Sequence, residues 1–257
     1  MKLGVNIDHI AVLREARAVN DPDILEALFT AVSAGADQIT IHLREDRRHI
    51  NEIDTQNIIK FSHIPVNLEC SISSEIIDIV CNLKPHRATL VPENRAELTT
   101  EGGLNLNSTK LPKAIKKLNQ NGIKVSLFID PDPKIVQKSA ELGVDCVELH
   151  TGAYANTFLM LNSNLTHTKY LIKDLNLSKF ELEKLLNKEL DRIKKAAKLG
   201  ANLKLKVAAG HGLNYQNVDL IAKIPEIFEL NIGQSIVARS VFVGLRQAIL
   251  DMKKLII

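Results

Sequence analysis

The stretch "AELGVDCVELHTG", residues 140–152, decides the fold. A helix-like end closes on Gly143, in the left-handed position that suits glycine, and an apolar run with period two follows at once. Val147 and Leu149 fall on one face of that run, Glu148 and His150 on the other. The same phrase returns in "SAGADQITIHL" (33–43), "NQNGIKVSLFID" (119–130) and "KLGANLKLKVAAG" (198–210), where Gly35, Gly122 and Gly200 are read as the helix-ending residues. Helix starts are marked by Asp21-Pro22 and Asp132-Pro133, each an N-cap followed by a first-turn proline, and by the capping box of Ser178 and Glu181. Helices alternating with strands predict a parallel sheet.

Working outward, eight strand candidates emerge: "LGVNID", "QITIHL", "PVNLEC", "RATLVP", "KVSLFID", "CVELHTG", "LKLKVAAG" and "IFELNIG". Eight strands in 257 residues fit a closed (β/α)8 TIM barrel with extra helices, whose usual length is about 250 residues. The expected organisation is a single domain over 1–257, with an extended connection at about 154–193. No G-x-G-x-x-G follows the first strand, so nothing favours a dinucleotide-binding sheet.

Composition is that of an ordinary globular protein, with 45% hydrophobic and 25% charged residues and a formal net charge of +3. So small a charge argues against a nucleic-acid partner held by bulk electrostatics and leaves room for local basic pockets. Cys70, Cys81 and Cys146 are far apart, which predicts neither disulfide framework nor zinc site but reduced thiols in a cytoplasmic protein. Neither a signal peptide nor a membrane span is expected.

Read with period two, Val5, Ile7, Ile39, Ile41, Val125, Leu127 and their equivalents form a face that packs against helices. The opposite face carries Asn6, Gln38, Thr40, His42, Asn67, Glu69, Ser126, Glu148, His150, Lys204, Lys206, Glu229 and Asn231, and in a barrel it is the lumen. A lumen this polar requires a paired network. A structural cluster of Lys204, Lys206, Glu148 and Glu229 deep in the barrel is one form of it. Asp8, His42, Glu69, Asp130, His150 and His211 fall at C-terminal strand ends, where this fold builds active sites.

Imidazoles beside a tunable carboxylate suit acid–base chemistry. His9, His42, His150 and His211 with Asp8 are of zinc-ligand type, but without H-x-H or H-E-x-x-H spacing no metal is expected. "AAGHGLN" and "NIGQSIVARSV" end strands seven and eight, where loops and a following helix N-terminus hold phosphate in such barrels; Gly210, Gly212 and Gly233 let backbone N–H groups approach an anion, with Ser235 as the helix cap. The charged run "HLREDRRHI" after strand two offers Arg44, with Arg47 or His49, to a second anion, while Glu45, Asp46 and Arg48 face water or pair with one another.

At this point "GVNIDHIAVLREAR", "HLREDRRHI", "VNLE", "LVPENRAELTTEGG", "VSLFID", "ELHTGAYA", "AGHGLNYQNV" and "ELNIGQSI" together resemble the pyridoxine 5'-phosphate synthase family from end to end. The resemblance implies condensation of 1-deoxy-D-xylulose 5-phosphate with 3-amino-2-oxopropyl phosphate, releasing phosphate and water, without metal or redox cofactor. It implies His42 and Glu69 as proton acceptors and His211 as proton donor. Asn6, Arg17, Gly212, Gly233 and Gln234 would hold the amino-ketone phosphate; Asp8, His9, Arg44, His49 and Thr99 would hold the deoxyxylulose phosphate. It further implies a homo-oligomer, typically an octamer, with Arg17 reaching a neighbour's site. Gln234 departs from the family's pattern, which has histidine there, so only a backbone contact carries over. The segment "LTTEGGLNLNS" is read as a lid. Two rival readings are a Schiff-base aldolase using Lys204 or Lys206, and a phosphate-ligand sensor without turnover.

Overall fold

A computed structural model describes residues 1–93 and 102–256. Eight parallel strands close into a barrel in chain order: β1 (Lys2–Asn6), β2 (Gln38–His42), β3 (Val66–Cys70), β4 (Arg87–Leu90), β5 (Lys124–Ile129), β6 (Cys146–His150), β7 (Lys206–Gly210) and β8 (Ile227–Ile232). The helices are α1 (Asp8–Glu15), α2 (Ile24–Ser33), α3 (Glu52–Phe61), α4 (Ser74–Leu83), α5 (Leu111–Gln120), α6 (Pro133–Glu141), α7 (Gly152–Asn162), α8 (Lys179–Asn202), α9 (Val218–Ala222), α10 (Gln234–Val243) and α11 (Leu245–Ile256). The TIM barrel expected from the strand count is therefore present. Val5, Ile7, Ile39, Ile41, Val125 and Leu127 are fully buried in the layer between strands and helices. No helix among the described residues is long and apolar enough to cross a membrane.

Local chemistry places the helices. Gly35, Gly122 and Gly143 adopt φ of +88°, +75° and +71°. Gly200 does not end a helix: α8 continues to Asn202, and Lys204 takes the left-handed φ of +63° instead. Glycine is needed at 200 for packing, because a Cβ there would lie 2.7 Å from Val207 Cγ2, so α8 could not approach β7 as closely. Asp132 caps α6 by accepting from the Lys134 amide, and Ser178 and Glu181 form the capping box of α8. Asp21-Pro22 is not a cap; α2 starts two residues later on Asp23, whose carboxylate accepts from the Leu25 amide. The long connection after β6 comprises α7, two single-turn 3₁₀ segments (Leu165–His167 and Lys173–Leu175) and α8. Leu182, Leu190, Ile193 and Ala197 form the buried stripe of α8, at helical spacing.

The lumen is polar, but its cation is not a lysine. Lys206, the first residue of β7, and Lys204, in the turn before it, are both exposed at the N-terminal end of the barrel. Arg87, the first residue of β4, occupies the interior instead. Its guanidinium pairs with Glu229, donates to Gln38 Oε1 at 2.8 Å and to Asn67 Oδ1 at 3.1 Å. Gln38 Nε2 in turn donates to Glu229 at 3.1 Å, and Asn231 Nδ2 donates to Glu148 Oε2 at 2.6 Å. This ladder satisfies groups that would be costly alone.

Removing one partner of such a buried pair leaves the other uncompensated, at a cost of about 3–5 kcal/mol. Arg87→Met is expected to lower the free energy of unfolding by about that amount, and adding Glu229→Leu to recover most of it, as measured by denaturant unfolding at fixed protein concentration.

Candidate active site

The C-terminal mouth of the barrel opens on a cavity of ≈ 480 Å³ whose wall includes Asn6, His9, Glu69, Glu148, His211 and Gln234. Its floor is the top of the lumen ladder, since Glu148 and Asn231 belong to both. Burial pushes the Glu69 carboxyl well above its ordinary range, and the charges of Glu148 and Asp8 add to this against the opposing pull of Arg87. Burial likewise raises Glu148, to about 7, although the Asn231 hydrogen bond and Arg87 oppose it. The floor thus holds Glu148, able to give up or take a proton near neutrality, beside the raised Glu69 carboxyl.

His42 ends β2 and is fixed at several points. Its backbone N–H donates to Asp8 Oδ1 at 2.9 Å; its Nε2 lies 2.8 Å from Glu93 Oε1; its Nδ1 faces Glu69 Oε2 at 3.8 Å. Asp8 is itself tied to Asn6, whose Nδ2 donates to Asp8 Oδ2 at 2.8 Å. The ends of β1 and β2 therefore share one polar clamp. Glu93 had no place among the residues chosen from the sequence: it lies beyond β4 in "PEN", where a loop carboxylate reads as solvated.

His211 follows β7 at φ +79°, a conformation that costs a non-glycine residue about 1–2 kcal/mol. The buried Thr151 hydroxyl lies 2.7 Å from Gly210 O and 2.6 Å from His211 O and holds the turn. The His211 ring packs edge-on against His150 at 4.9 Å between centroids. Burial, aided by the charge of His150, pushes the His211 imidazole down to about 4. His150 reaches Asp130 Oδ1 at 3.4 Å, and the Gly103 amide donates to the same oxygen.

The expected anion corner is assembled from β7, β8 and α10. Gly212, Gly233, Gln234 and Ser235 line the cavity beside Asn6. A Cβ on Gly233 would lie 2.8 Å from Asn6 Cβ, and one on Gly212 2.6 Å from Ala155 Cβ, so glycine is required at both. Ser235 is not the cap: its hydroxyl donates to Leu213 O at 2.8 Å, and Gly233 occupies the N-cap position. On the other flank, burial lowers His9 and His49 despite the opposing charge of Asp8. Arg44 is buried and held by Asp46 at 3.1 Å. Burial works to raise Asp46, but hydrogen bonds from Arg48 and Arg44 keep it well below the usual carboxylate range. Arg47 is turned to Glu52 and Glu75, at 2.8 and 3.1 Å, and so is engaged away from any anion. Arg17 is exposed and is not part of the cavity wall. Residues 98–101 of the expected lid, Thr99 among them, lie outside the described residues. Of that segment, Gly103 and Leu104 are stitched to the end of β5 through Asp130 and Phe128 O.

Residues 3–257 match the model of the family described as pyridoxal phosphate biosynthesis protein PdxJ. The chain belongs to that family. Within the PdxJ family it is 73% identical over 256 residues to the pyridoxine 5'-phosphate synthase of Campylobacter fetus subsp. fetus (strain 82-40), with 100% of both chains covered. It is 65% identical over 258 residues to the enzyme of that name from Aliarcobacter butzleri (strain RM4018), covering 100% of this chain and 99% of the other. Among solved structures, N-(5'-phosphoribosyl)anthranilate isomerase from Pyrococcus furiosus covers 100% of this chain and 98% of its own, with a TM-score of 0.60 at 15% identity. That likeness is one of fold. The PdxJ barrel has no group of three or more His, Cys, Asp or Glu disposed to hold a metal among the described residues.

Because His211 is depressed in the folded chain, it binds a proton less readily there than when unfolded. The stability it contributes is complete above its ordinary value of 6.5 and is lost as pH falls towards about 4. His211→Asn is expected to flatten the acid limb of the melting-temperature profile over that interval. In the wild type, the His211 ring should remain neutral by NMR until pH nears the lower end.

Proposed function

We propose that this barrel mouth carries out the pyridoxine 5'-phosphate synthase reaction of its family, with His42, Glu69 and His211 as the groups that move protons. The single observation that supports this most is the raised, half-buried Glu69 carboxyl set between His42 on one side and the glycine-lined corner of β7 and β8 on the other. The reaction joins 1-deoxy-D-xylulose 5-phosphate to 3-amino-2-oxopropyl phosphate. Amine and ketone condense to an imine with loss of water, and ring closure then needs protons removed from carbon and delivered to departing oxygens.

Each proton group has a matching disposition. The bare side of His42 takes a proton from substrate, with Glu69 beside it to accept or return one. His211 faces the cavity from the opposite wall and serves as donor once charged by substrate chemistry. Two phosphorylated substrates call for two anion sites. Backbone N–H groups at Gly212, Gly233 and Gln234, at the start of α10, suit the amino-ketone phosphate, with Asn6 at hand. Arg44, His49 and His9, with Asp8 and Thr99, suit deoxyxylulose phosphate. A buried guanidinium shared with a surface aspartate can exchange that partner for a phosphate. Fixing both substrates in one pocket turns a bimolecular encounter into an intramolecular reaction.

Gln234 is exposed at the first turn of α10, which favours its backbone over its side chain as the phosphate contact. Exposed Val241 and Phe242 at the end of α10 and Leu13 on α1 favour self-association, and Arg17, outside its own cavity wall, is free to serve a neighbour. The three free, buried cysteines are in keeping with a reducing cytoplasm. The lysine-aldolase reading loses its nucleophile, because Lys204 and Lys206 are exposed at the N-terminal end of β7, opposite the mouth.

Purified, metal-free protein given both substrates should form pyridoxine 5'-phosphate, detected by absorbance and mass. Glu69→Gln and His211→Ala should each lower kcat at least about 100-fold, the scale of a lost general acid or base; Lys206→Ala should leave it unchanged. No product, with both phosphates still binding, would favour the sensor.

A further inference from the structure

We propose that Glu93 is a positioning residue for His42: it keeps the imidazole proton on Nε2 and thereby makes Nδ1 the basic nitrogen that meets Glu69 and substrate. The inference rests on the acid–base role given to His42 above.

The geometry is that of a carboxylate, an imidazole and a second carboxyl in series. Glu93 has a side chain only 5% exposed, and its Oε1 lies 2.8 Å from His42 Nε2. Its other oxygen accepts from the Glu45 amide at 2.9 Å. Both oxygens are thus committed, and in directions that fix the carboxylate plane. Burial tends to raise Glu93, yet the hydrogen bond and charge of His42, the Glu45 amide and Arg44 hold it below the ordinary carboxylate range. An ionised carboxylate only accepts, so the hydrogen in the short contact belongs to Nε2. One hydrogen on a neutral ring then leaves a lone pair on Nδ1.

On its other side, Nδ1 stands 3.8 Å from Glu69 Oε2, beyond hydrogen-bond distance. Burial raises the Glu69 carboxyl, so the lone pair on Nδ1 stands beside a group disposed to carry a proton. A substrate C–H or O–H lying alongside this pair meets both a basic nitrogen and a carboxyl. Turning the ring over would withdraw Nε2 from Glu93 and leave that carboxylate oxygen without its short hydrogen bond. The opposite tautomer would set an unprotonated Nε2 against an ionised carboxylate in a buried place, two acceptors at 2.8 Å. The same carboxylate also ties His42 to the loop that carries Arg44, through Glu45.

Glu93→Gln separates the two jobs of this residue. The amide oxygen can still accept from the Glu45 N–H, while the amide NH₂ then faces His42 Nε2, calls for a lone pair there and drives the proton to Nδ1. In substrate-free protein with ¹⁵N-labelled histidine, the His42 nitrogens, assigned by their loss in His42→Asn, should show the proton on Nε2 in the wild type and on Nδ1 in Glu93→Gln. With both substrates, Glu93→Gln should lower kcat at least tenfold with KM for each within about twofold, as expected when an imidazole is held in the wrong tautomer. Glu93→Asp should restore part of kcat.

Wild-type protein with the proton on Nδ1 would overturn the inference, and this readout needs neither the variant nor turnover. Unchanged kcat in a Glu93→Gln protein whose tautomer has reversed would overturn it too. A rise in KM with the tautomer unchanged would make Glu93 a loop anchor only, and would equally refute it. Absence of pyridoxine 5'-phosphate synthesis would instead count against the reaction, while the tautomer measurement would still stand.

Discussion

One guanidinium lies inside a closed barrel with more carboxyl groups than it can neutralise. Arg87 pairs with Glu229 and is bonded to Gln38 and Asn67, and Glu148 and Glu69 stand further towards the mouth. Ionising all three carboxyls around one cation would leave net negative charge in a low-dielectric interior, where desolvation penalises each ion by several kcal/mol. Protons relieve it. Arg87 and Glu229 form the ion pair, and burial first, with neighbouring carboxylates adding to it, raises Glu148 and Glu69, the two that line the cavity. The desolvation that shapes the lumen therefore also equips the mouth with acids.

Transmission from lumen to mouth is by side chains that work twice. Asn231 accepts from Gln38 below, at 3.3 Å, and donates to Glu148 above. At the rim, Asp8 links Asn6 to the His42 amide, and Thr151 binds the carbonyls around His211. Rigid parallel strands fix the origin of each side chain, and these short polar ties fix its direction. A loop alone would not hold an imidazole in a left-handed turn against its preference. The buried hydroxyl of Thr151 supplies the restraint that keeps the His211 ring turned to the cavity wall.

Much of this was legible in the sequence because two periodicities carry it. The glycine at the helix end and the period-two run after it yield the barrel, and the polar phase of each run yields Asn67, Glu148, Glu229 and Asn231 as lumen residues. The phase marks a buried face only away from the strand ends. Lys206 is the first residue of β7 and Lys204 lies in the turn before it, so both are exposed at the end of the barrel opposite the mouth, and the pairing of β7 with β8 is also irregular at Val207 and Ala208. Arg87 gives no periodic signal for a different reason: β4 has four residues, too few for alternation to declare a face. Gly200 followed the helix-ending pattern in letters, but a close crossing of α8 over β7 imposes the same residue for lack of space. Glu93 leaves no periodic trace, since its role arises only when the loop after β4 meets the end of β2.

Two groups of hydrogen-bond donors at the mouth end of the barrel differ in kind. Around Gly212, Gly233 and the start of α10, the donors are backbone N–H groups. Their orientation is set by the fold, and they carry no full charge to be neutralised when the cavity is empty. Around Arg44, His9 and His49, the donors are side chains, one of them already paired with Asp46. Backbone donors need no rearrangement to meet an anion, whereas Arg44 is already committed to Asp46. The Arg44 charge also helps to hold Glu93 below the ordinary carboxylate range, and Glu93 in turn contacts His42 Nε2 and the Glu45 amide. The charged loop after β2 and the His42 imidazole are in this way joined by a single buried carboxylate.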